Sequence, residues 1–438
     1  MSSWLALLWL CSALHYISRL ICHPHIKPAA SVHLSAYRYY YITPYIRLYI
    51  HTSIHHPPAM DQHSLPFTRY IAELAVLRAA VLTKRFMTRV SGIAKDDASP
   101  VTLADFGAQA LIMAALHGFF PHDGFVGEED AAVLRANDKL RTTVFKLANA
   151  VSRDFREVEW RSANAHSVDA TLPALESEEQ LLELLDLAGR GATAPRGRFW
   201  VMDPLDGTAA FLRGQQYAVS LALVEDGREV LGVVCYPNLS LEYGGVVSEI
   251  ATDRLGHGIM LSAIRGEGAE YRRLPLDYSL GLGEILGRFT VPAKYEDLRL
   301  VDSTASKSNR LDLVEGVARQ LGAVPFPGID IYSSHARYAA MMIGEGEGSH
   351  VMIRIPVGRK GDPSKSYIWD HAGSQLVYTE RGGKITDLEG KDIDFGAGKT
   401  LAANWGIVAA PEVVHERILR LVQEWIARDV EMNDVYDP

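Results

Sequence analysis

One stretch, residues 200–211 (WVMDPLDGTAAF), constrains the fold more than any other part of the chain. The apolar run at residues 199–202 predicts the end of a buried strand. Pro204 predicts that the strand stops there, because proline has no backbone N–H to donate to a sheet. The chain must then turn, and across such a turn the side chains of Asp203 and Asp206 can converge on one point.

Two carboxylates at one turn suit a hard divalent cation. Magnesium takes oxygen ligands, usually one or two carboxylates together with substrate phosphates and water. The backbone carbonyl of Leu205 is a further candidate ligand, Gly207 lets the backbone approach closely, and Thr208 adds a hydroxyl. The alternative is a polar turn without a ligand, since Asp, Pro and Gly are the residues that turns prefer.

Composition limits the kind of partner. The chain has 438 residues, of which 48% are hydrophobic and 22% charged, enough for a large core and more than one domain. The formal net charge of −9 disfavours a nucleic-acid partner, and it makes binding of a small anionic substrate depend on a bridging metal. The three cysteines provide neither a disulfide framework nor a CxxC metal site.

The N-terminal extension, residues 1–59, differs from the rest of the chain. It contains no Asp or Glu and is rich in His and Tyr. Two interpretations stay open: a targeting segment, either secretory or mitochondrial, or upstream translated sequence before a start at Met60. We expect a cytoplasmic protein without a membrane partner, or a mitochondrial one if residues 1–59 are a presequence.

Further acidic motifs flank the central stretch. They are residues 99–105 (SPVTLAD), ending in Asp105; residues 127–130 (GEED); and residues 369–372 (WDHA), followed by residues 382–387 (GGKITD). Each also has a purely structural interpretation, because acids are common at helix starts and on solvated loops. In this order, together with the central stretch, they resemble the inositol monophosphatase superfamily, the lithium-sensitive, magnesium-dependent phosphomonoesterases, over about residues 66–427.

The resemblance implies a role for each matching residue. The expected ligands of two or three Mg²⁺ ions are Glu128, Asp203, Asp206, Asp370 and the Leu205 carbonyl. Asp105 would pair with Thr208 to activate water, and Glu129 would hold a nearby water. The expected substrate-binding residues are Gly207, Thr208, Ser334, Arg337 and Asp370, with Arg337 at the lysine position of an Asp-Ser-x-x-Lys-Tyr stretch that holds a substrate phosphate.

The resemblance is strongest to the bisphosphate nucleotidase branch. It implies hydrolysis of 3′-phosphoadenosine 5′-phosphate to AMP and phosphate in support of sulfate assimilation, by a monomer that acts on this small phosphorylated molecule. The alternatives are an inositol polyphosphate 1-phosphatase or an inositol monophosphatase with the same metals. A third alternative, from a different class, is a non-catalytic anion- or metal-binding relative.

The implied fold is of the α/β class, an α+β layered sandwich like those of inositol monophosphatase and fructose-1,6-bisphosphatase. Residues 60–295 would carry most metal ligands, and residues 296–438 would complete the metal and substrate site. The local patterns also predict an amphipathic helix at 68–90, a helix capped by Thr102 or Asp105, a helix at 131–150 and a hairpin turn at Asp226-Gly227. They further predict that His371 faces the substrate rim or water, and that a last helix has Pro411 in its first turn.

Overall fold

The computed structural model describes residues 64–90, 100–163, 171–241, 245–253, 256, 258–276, 279–292, 294–358 and 366–436. The N-terminal extension, residues 1–59, lies outside the described residues. In the described ranges, no helix combines the length and the apolar character that crossing a membrane requires.

The described helices and strands alternate along the chain. The helices are α1 Leu65–Val90, α2 Pro100–Phe119, α3 Ala132–Ala136, α4 Asp138–Ala163, α5 Glu178–Gly189, α6 Thr208–Leu212, α7 Leu311–Leu321, α8 Ser334–Met342, α9 Ala372–Glu380 and α10 Glu412–Tyr436. The strands are β1 Gly124–Gly127, β2 Arg198–Asp206, β3 Ala218–Glu225, β4 Arg228–Tyr236, β5 Ile259–Ile264, β6 Gly268–Arg273, β7 Glu284–Leu286, β8 Arg299–Asp302, β9 Ile329–Asp330, β10 His350–Arg354, β11 Gly383–Thr386 and β12 Ile407–Pro411.

The strands form two sheets. Sheet 1 has the order β1-β2-β3-β4-β5-β6-β7, with β1 parallel to β2 and all other neighbours antiparallel. Sheet 2 has the order β11-β12-β10-β8-β9; β8 is parallel to β9 and β10, and β12 is antiparallel to both of its neighbours. All strands of sheet 1 precede residue 295 in the sequence, and all strands of sheet 2 follow it. The domain boundary predicted between residues 295 and 296 stays a prediction.

Both faces of each sheet are buried. On β2, Trp200 packs into a hydrophobic cluster with α1, α2, α4 and α5, whereas Val201 packs into a second cluster with α8 and α9. On β12, Ala409 joins that second cluster, whereas Val408 joins a third with α7 and α10. The layers are therefore helices, sheet 1, helices, sheet 2 and helices, which confirms the predicted α/β layered sandwich.

Helix α1 is not amphipathic, contrary to the prediction. All of residues 71–84 are buried, because the helix lies between sheet 1 and helices α2 and α4. The charged side chains that face these layers therefore have partners. Arg78 and Lys84 donate to backbone carbonyls, and the Glu73 carboxylate lies 3.3 Å from the Nε atom of Arg272.

Three other boundaries differ from the predictions for local reasons. Helix α2 begins at Pro100, so Asp105 lies inside it rather than at its cap. The helix predicted at 131–150 is two helices, because Asn137 is extended and its side chain accepts from the N–H of Leu140 to cap α4. Pro411 ends β12 instead of opening α10, since the end of that strand pairs with Gly383.

The hairpin turn predicted between β3 and β4 is confirmed. Asp226 and Gly227 both have positive φ, 49° and 78°, as a two-residue turn that matches strand twist requires. The Asp226 side chain also accepts from the N–H of Gly197, which joins this turn to the start of β2.

Glu229, at the start of β4, gives the first prediction. It is 3% exposed and paired with Arg265 at 2.9 Å, yet burial outweighs this partner and raises its pKa from 4.5 to about 7. The native state therefore holds this proton more tightly than the unfolded chain. From pH 4.5 to about 7, the group should lower the free energy of unfolding by up to about 1.4 kcal/mol per pH unit.

Glu229→Gln should flatten this slope in urea unfolding measured between pH 4.5 and 7.5. Glu267→Gln, in the exposed turn between β5 and β6, is the matched control and should keep the parental slope. An unchanged slope in Glu229→Gln would contradict the prediction.

Candidate metal centre and active site

A bulge in β2 forms the centre of the site. The strand does not stop at Pro204, as predicted, but stays paired with β3 up to Asp206. Asp203 is opposite Ser220 and Asp206 is opposite Ala218, so β2 has one extra residue between them. A bulge can accommodate a proline, which donates no ladder hydrogen bond.

The bulge also explains why the two carboxylates meet. Side chains three positions apart in a regular strand point to opposite faces of the sheet, and one inserted residue brings them to the same face. The Asp203 carboxylate is further held by the N–H of Leu205 at 3.1 Å. Gly207 follows with φ at 92°, and a Cβ there would lie 2.8 Å from the Cβ of Ser333, so glycine is needed for both reasons.

Asp370 completes an acidic triad with Asp203 and Asp206. One carboxylate oxygen of each lies within 4.8 Å of the others. Asp370 comes from sequence far beyond β2, in the turn before α9, where it accepts from the N–H of Tyr367 at 3.3 Å. Helix α9 begins only at Ala372, so Asp370 stands outside the helix and is free to face the triad.

Helix α8 directs its N-terminus at Asp206. The Asp206 carboxylate accepts from the Ser333 hydroxyl at 2.5 Å, from the N–H of Ser334 at 3.2 Å and from the N–H of His335 at 2.7 Å. Unpaired N–H groups and the partial positive charge of a helix N-terminus stabilise an acceptor of this kind. The contact joins the bulge of sheet 1 to the first turn of α8.

Burial and mutual repulsion make the triad electrostatically unfavourable by itself. Burial, followed by the charges of Glu128, Asp206 and Asp370, raises the pKa of Asp203 well above its usual range. Burial and the Asp206 charge raise the pKa of Asp370 to about 6. Both groups thus resist ionisation unless positive charge is supplied among them.

Glu128 and Glu129 lie beside the triad, directly after β1. Desolvation, then the charges of Glu129, Asp370 and Asp206, raises the pKa of Glu128 to about 7, although the side chain reaches the surface. Gln109 of α2 fixes this turn, because its amide exchanges two hydrogen bonds with the backbone of Glu129, at 2.6 and 3.0 Å. Sequence reasoning missed Gln109; its signal was the four-residue spacing from Asp105 on one helix face.

Asp105 and Thr208 lie on different helices, α2 and α6. Asp105 is 7% exposed, and burial with the charges of Glu129 and Glu128 raises its pKa to about 9. Thr208 is exposed at the first position of α6. Within the described residues, no hydrogen bond joins these two side chains, so their pairing stays a prediction.

The predicted phosphate-binding residues, Ser334 and Arg337, contact each other. Arg337 is buried, and its guanidinium donates to the Ser334 hydroxyl at 2.9 Å and to the carbonyls of Ile331 and Tyr332 at 3.1 Å. Arg354, at the end of β10, adds a second positive charge that acts on Asp370 together with Arg337. Sequence reasoning missed Arg354, because nothing in the local pattern relates a strand end to the acids.

His371 is not at the substrate rim, contrary to the prediction. It is 1% exposed, and its Nδ1 lies 3.2 Å from the hydroxyl of Tyr338 in α8. Burial, followed by the positive charge of Arg354, lowers its pKa well below the usual value. The ring faces inward because α9 packs against α8 at this point.

The donor set fits a hard cation. It consists entirely of oxygen atoms on buried or half-buried carboxylates whose negative charges repel one another. Oxygen-only ligands suit magnesium or calcium, whereas zinc usually takes nitrogen or sulfur ligands. The triad can therefore bind a metal ion, with Glu128 beside it as an additional carboxylate.

Comparison with known proteins gives consistent matches. Residues 66–427 match the Inositol monophosphatase family. The chain is 37% identical to a 3′(2′),5′-bisphosphate nucleotidase of Emericella nidulans over 81% of this chain and 97% of that protein, and 34% identical to one of Oryza sativa over 82% and 95%. An inositol monophosphatase structure from Zymomonas mobilis aligns with 82% of this chain and 99% of its own at 17% identity, with a TM-score of 0.48.

The family match and the two curated relatives confirm the family that the acidic motifs predicted. The family match covers the central bulge and the turn before α9, which supply the triad, and the turn after β1, which carries Glu128. The chain belongs to the inositol monophosphatase family, whose members depend on metal ions, and it is a phosphoric monoester hydrolase.

Proposed function

We propose that this protein is a magnesium-dependent 3′(2′),5′-bisphosphate nucleotidase that hydrolyses 3′-phosphoadenosine 5′-phosphate to AMP and phosphate. The observation that carries the proposal is that the charges of two guanidinium groups, Arg337 and Arg354, act on Asp370 of the acidic triad. A substrate with two phosphates needs a cation-binding centre at the scissile phosphate and separate positive charge for the other. The names of the curated relatives support the same substrate.

The metal-binding role falls to the carboxylates of Glu128, Asp203, Asp206 and Asp370 and to the Leu205 carbonyl, for two or three Mg²⁺ ions. Bound there, magnesium would supply a Lewis acid that neutralises phosphoryl oxygens and activates water. The protein positions the carboxylates, because the β2 bulge and the α8 N-terminus hold Asp203 and Asp206 before substrate binds.

The remaining residues bind or orient. The N-terminus of α6, beginning after Gly207, offers backbone N–H groups to a phosphate, although this helix has only one turn. Thr208 and Asp105 orient the attacking water, which requires the two side chains to approach each other in the substrate complex. Asp105 accepts the proton of this water, which requires that positive charge bound nearby lower the Asp105 pKa from about 9. Glu129 holds a nearby water. Ser334, Arg337 and Asp370 contact the substrate, with Arg337 gripping the second phosphate.

A substrate panel tests the proposal. With magnesium present, the enzyme should hydrolyse 3′-phosphoadenosine 5′-phosphate with a higher kcat/KM than inositol 1,4-bisphosphate or inositol 1-phosphate. Control reactions with a chelator should show no turnover. Preference for either inositol ester would identify an inositol phosphatase instead. Binding of the nucleotide without turnover of any substrate would identify a non-catalytic relative.

A variant of Arg337, the residue proposed to bind the second phosphate, can be tested with the same substrates. Arg337→Lys keeps the positive charge but loses the planar donor pattern, so KM for the bisphosphate should rise more than KM for inositol 1-phosphate. An equal rise for both esters would show that Arg337 acts only through the fold. The proposed setting is a cytoplasmic monomer that serves sulfate assimilation, or a mitochondrial one if residues 1–59 direct import.

Lithium should inhibit turnover. The site offers only oxygen ligands, and a position with few carboxylates and several waters is open to competition by a small monovalent cation. Activity at limiting magnesium should fall in millimolar lithium chloride and stay unchanged in the same concentration of potassium chloride. Equal activity in the two salts would contradict the prediction.

A further inference from the structure

His335 is a buried histidine in the first turn of α8 whose side chain has no role in the assignments above. Its side chain is fully buried, and both ring nitrogens have partners. Nδ1 lies 2.7 Å from the Ser374 hydroxyl of α9, and Nε2 lies 2.9 Å from the backbone carbonyl of Trp369. The ring therefore spans from α8 to the segment that carries Asp370.

These contacts determine the tautomer. A carbonyl can only accept, so Nε2 carries the hydrogen and donates it to Trp369. Nδ1 is then the acceptor, and the Ser374 hydroxyl donates to it. The Tyr236 hydroxyl, 3.2 Å from Ser374 Oγ, donates in turn to that oxygen. In this series of hydrogen bonds, from Tyr236 through Ser374 and His335 to Trp369, every donor has one acceptor. The His335 ring therefore has one orientation in which all of its hydrogen bonds are satisfied.

The same residue contacts two ligands of the triad by different routes. Its backbone N–H donates to Asp206 at 2.7 Å. Its ring binds the carbonyl of Trp369, which belongs to the peptide bond that begins Asp370. The Ile368 N–H of the same segment donates to the Lys399 carbonyl at 3.0 Å, and the His335 ring adds a hydrogen bond that joins the segment to α8, whose N-terminus holds Asp206. A shift of that peptide would move the Asp370 carboxylate away from the other two.

We propose that His335 is a positioning residue of the metal centre, which sets the separation of the Asp206 and Asp370 carboxylates through its backbone N–H and its Nε2–H. This rests on the proposed function, since it assumes that these carboxylates bind metal. Groups that orient metal ligands without touching the ion commonly change metal affinity about 10- to 100-fold when they are removed.

Two substitutions at His335 separate its ring contacts. In His335→Gln, the side-chain amide nitrogen replaces Nε2, so the donor to Trp369 is kept and the acceptor for Ser374 is lost. In His335→Asn, the shorter amide replaces Nδ1, so the contact with Ser374 is kept and the donor to Trp369 is lost. The backbone bond to Asp206 is available in both.

His415→Asn is the matched control. His415 is also buried, and its Nε2 also lies near a backbone carbonyl, that of Val408 at 3.1 Å, but in the layer of α10 against sheet 2. Its substitution should lower the melting temperature without changing metal binding. A general loss of stability is thereby separated from a change at the metal centre.

The probe is Mn²⁺ alone, whose binding to the full chain is followed by the loss of the free-ion electron paramagnetic resonance signal. We expect His335→Asn to raise the Kd for Mn²⁺ at least about tenfold, with a matching rise in the magnesium requirement for turnover. His335→Gln should stay close to the parent, as should His415→Asn. A parental Kd in His335→Asn, or an equal rise in His335→Gln, overturns the proposal.

If His335→Asn does not fold, His335→Leu decides the question. Leucine fills much of the ring volume without polar atoms, so the donor to Trp369 is lost while the backbone bond to Asp206 stays available. The Kd for Mn²⁺ should then rise, and an unchanged value overturns the proposal. If the parent protein binds no Mn²⁺, the proposed function is overturned as well. If the parent binds Mn²⁺ and hydrolyses the substrate, and the His335 variants do the same, only the role of His335 is removed.

Discussion

Asp203→Asn should make the metal-free protein more stable while removing nearly all of its activity. Asp203 is 2% exposed, and burial with its acidic neighbours raises its pKa well above the usual range. An acid with a raised native pKa destabilises the fold at pH values above its unfolded pKa, and this cost disappears at low pH. Asparagine has the same shape without the ionisable proton.

The melting temperature in chelator should therefore rise at pH 7 and converge with that of the parent near pH 4. Turnover should fall about 10³-fold or more, because metal ions contribute several kcal/mol to a phosphoryl transition state. The magnesium requirement should rise in the same variant. These opposite effects on stability and activity are the signature of a carboxylate kept for metal binding.

Asp387→Asn is the control for Asp203→Asn. Asp387 is also fully buried, but its carboxylate accepts from the N–H groups of Glu389 and Lys391 and from the Asn404 amide. Its substitution should lower the melting temperature, since satisfied hydrogen bonds are lost, and leave the magnesium requirement unchanged. A lower melting temperature for Asp203→Asn in chelator would contradict the electrostatic account of the triad.

Asp105→Asn should lower kcat about 10²- to 10⁴-fold, the usual contribution of a general base, and leave the magnesium requirement close to that of the parent. The substitution keeps the shape of a buried side chain in α2 and removes its ability to accept a proton. If Asp105 only supports the helix, kcat should be nearly unchanged. Measuring kcat, magnesium dependence and melting temperature distinguishes the two explanations.

Thr208 extends this test, because the proposed pair acts as one unit. Thr208→Val should lose activity to a similar extent, and the double variant should lose little more than either single variant. Thr208 is exposed at the start of α6, so its substitution should barely affect stability. Independent, additive losses would show that the two side chains do not work together.

Much of the chemistry could be predicted from local sequence. The Asp-Pro-Leu-Asp-Gly-Thr stretch shows its carboxylates directly, and Asp370 follows a tryptophan in a short acidic motif. These signals can be recognised in the sequence because the type of side chain and the spacing within a turn are local properties. The fold class was also predictable, since the motif order resembles one family and the strand patterns are regular.

Other features depend on contacts between distant segments. The bulge at Pro204, not a strand end, turns Asp203 and Asp206 to one face, and only the register with β3 shows it. Helix α1 has a helical pattern, but the number of layers around it decides that residues 71–84 are buried on all sides. The burial of His371 likewise depends on a distant segment, because its side chain is covered where α8 packs against α9.

The sequence by itself determined which residue types offer oxygen atoms to a metal ion, their order along the chain and the family to which the chain belongs. The tertiary structure alone decided that Gln109 holds the turn at Glu129, that the α8 N-terminus binds Asp206, and that the His335 ring contacts the peptide before Asp370. The physical reason is that a ligand's chemistry resides in its own side chain. Its position, by contrast, is set by hydrogen bonds from segments that meet only when the layers pack.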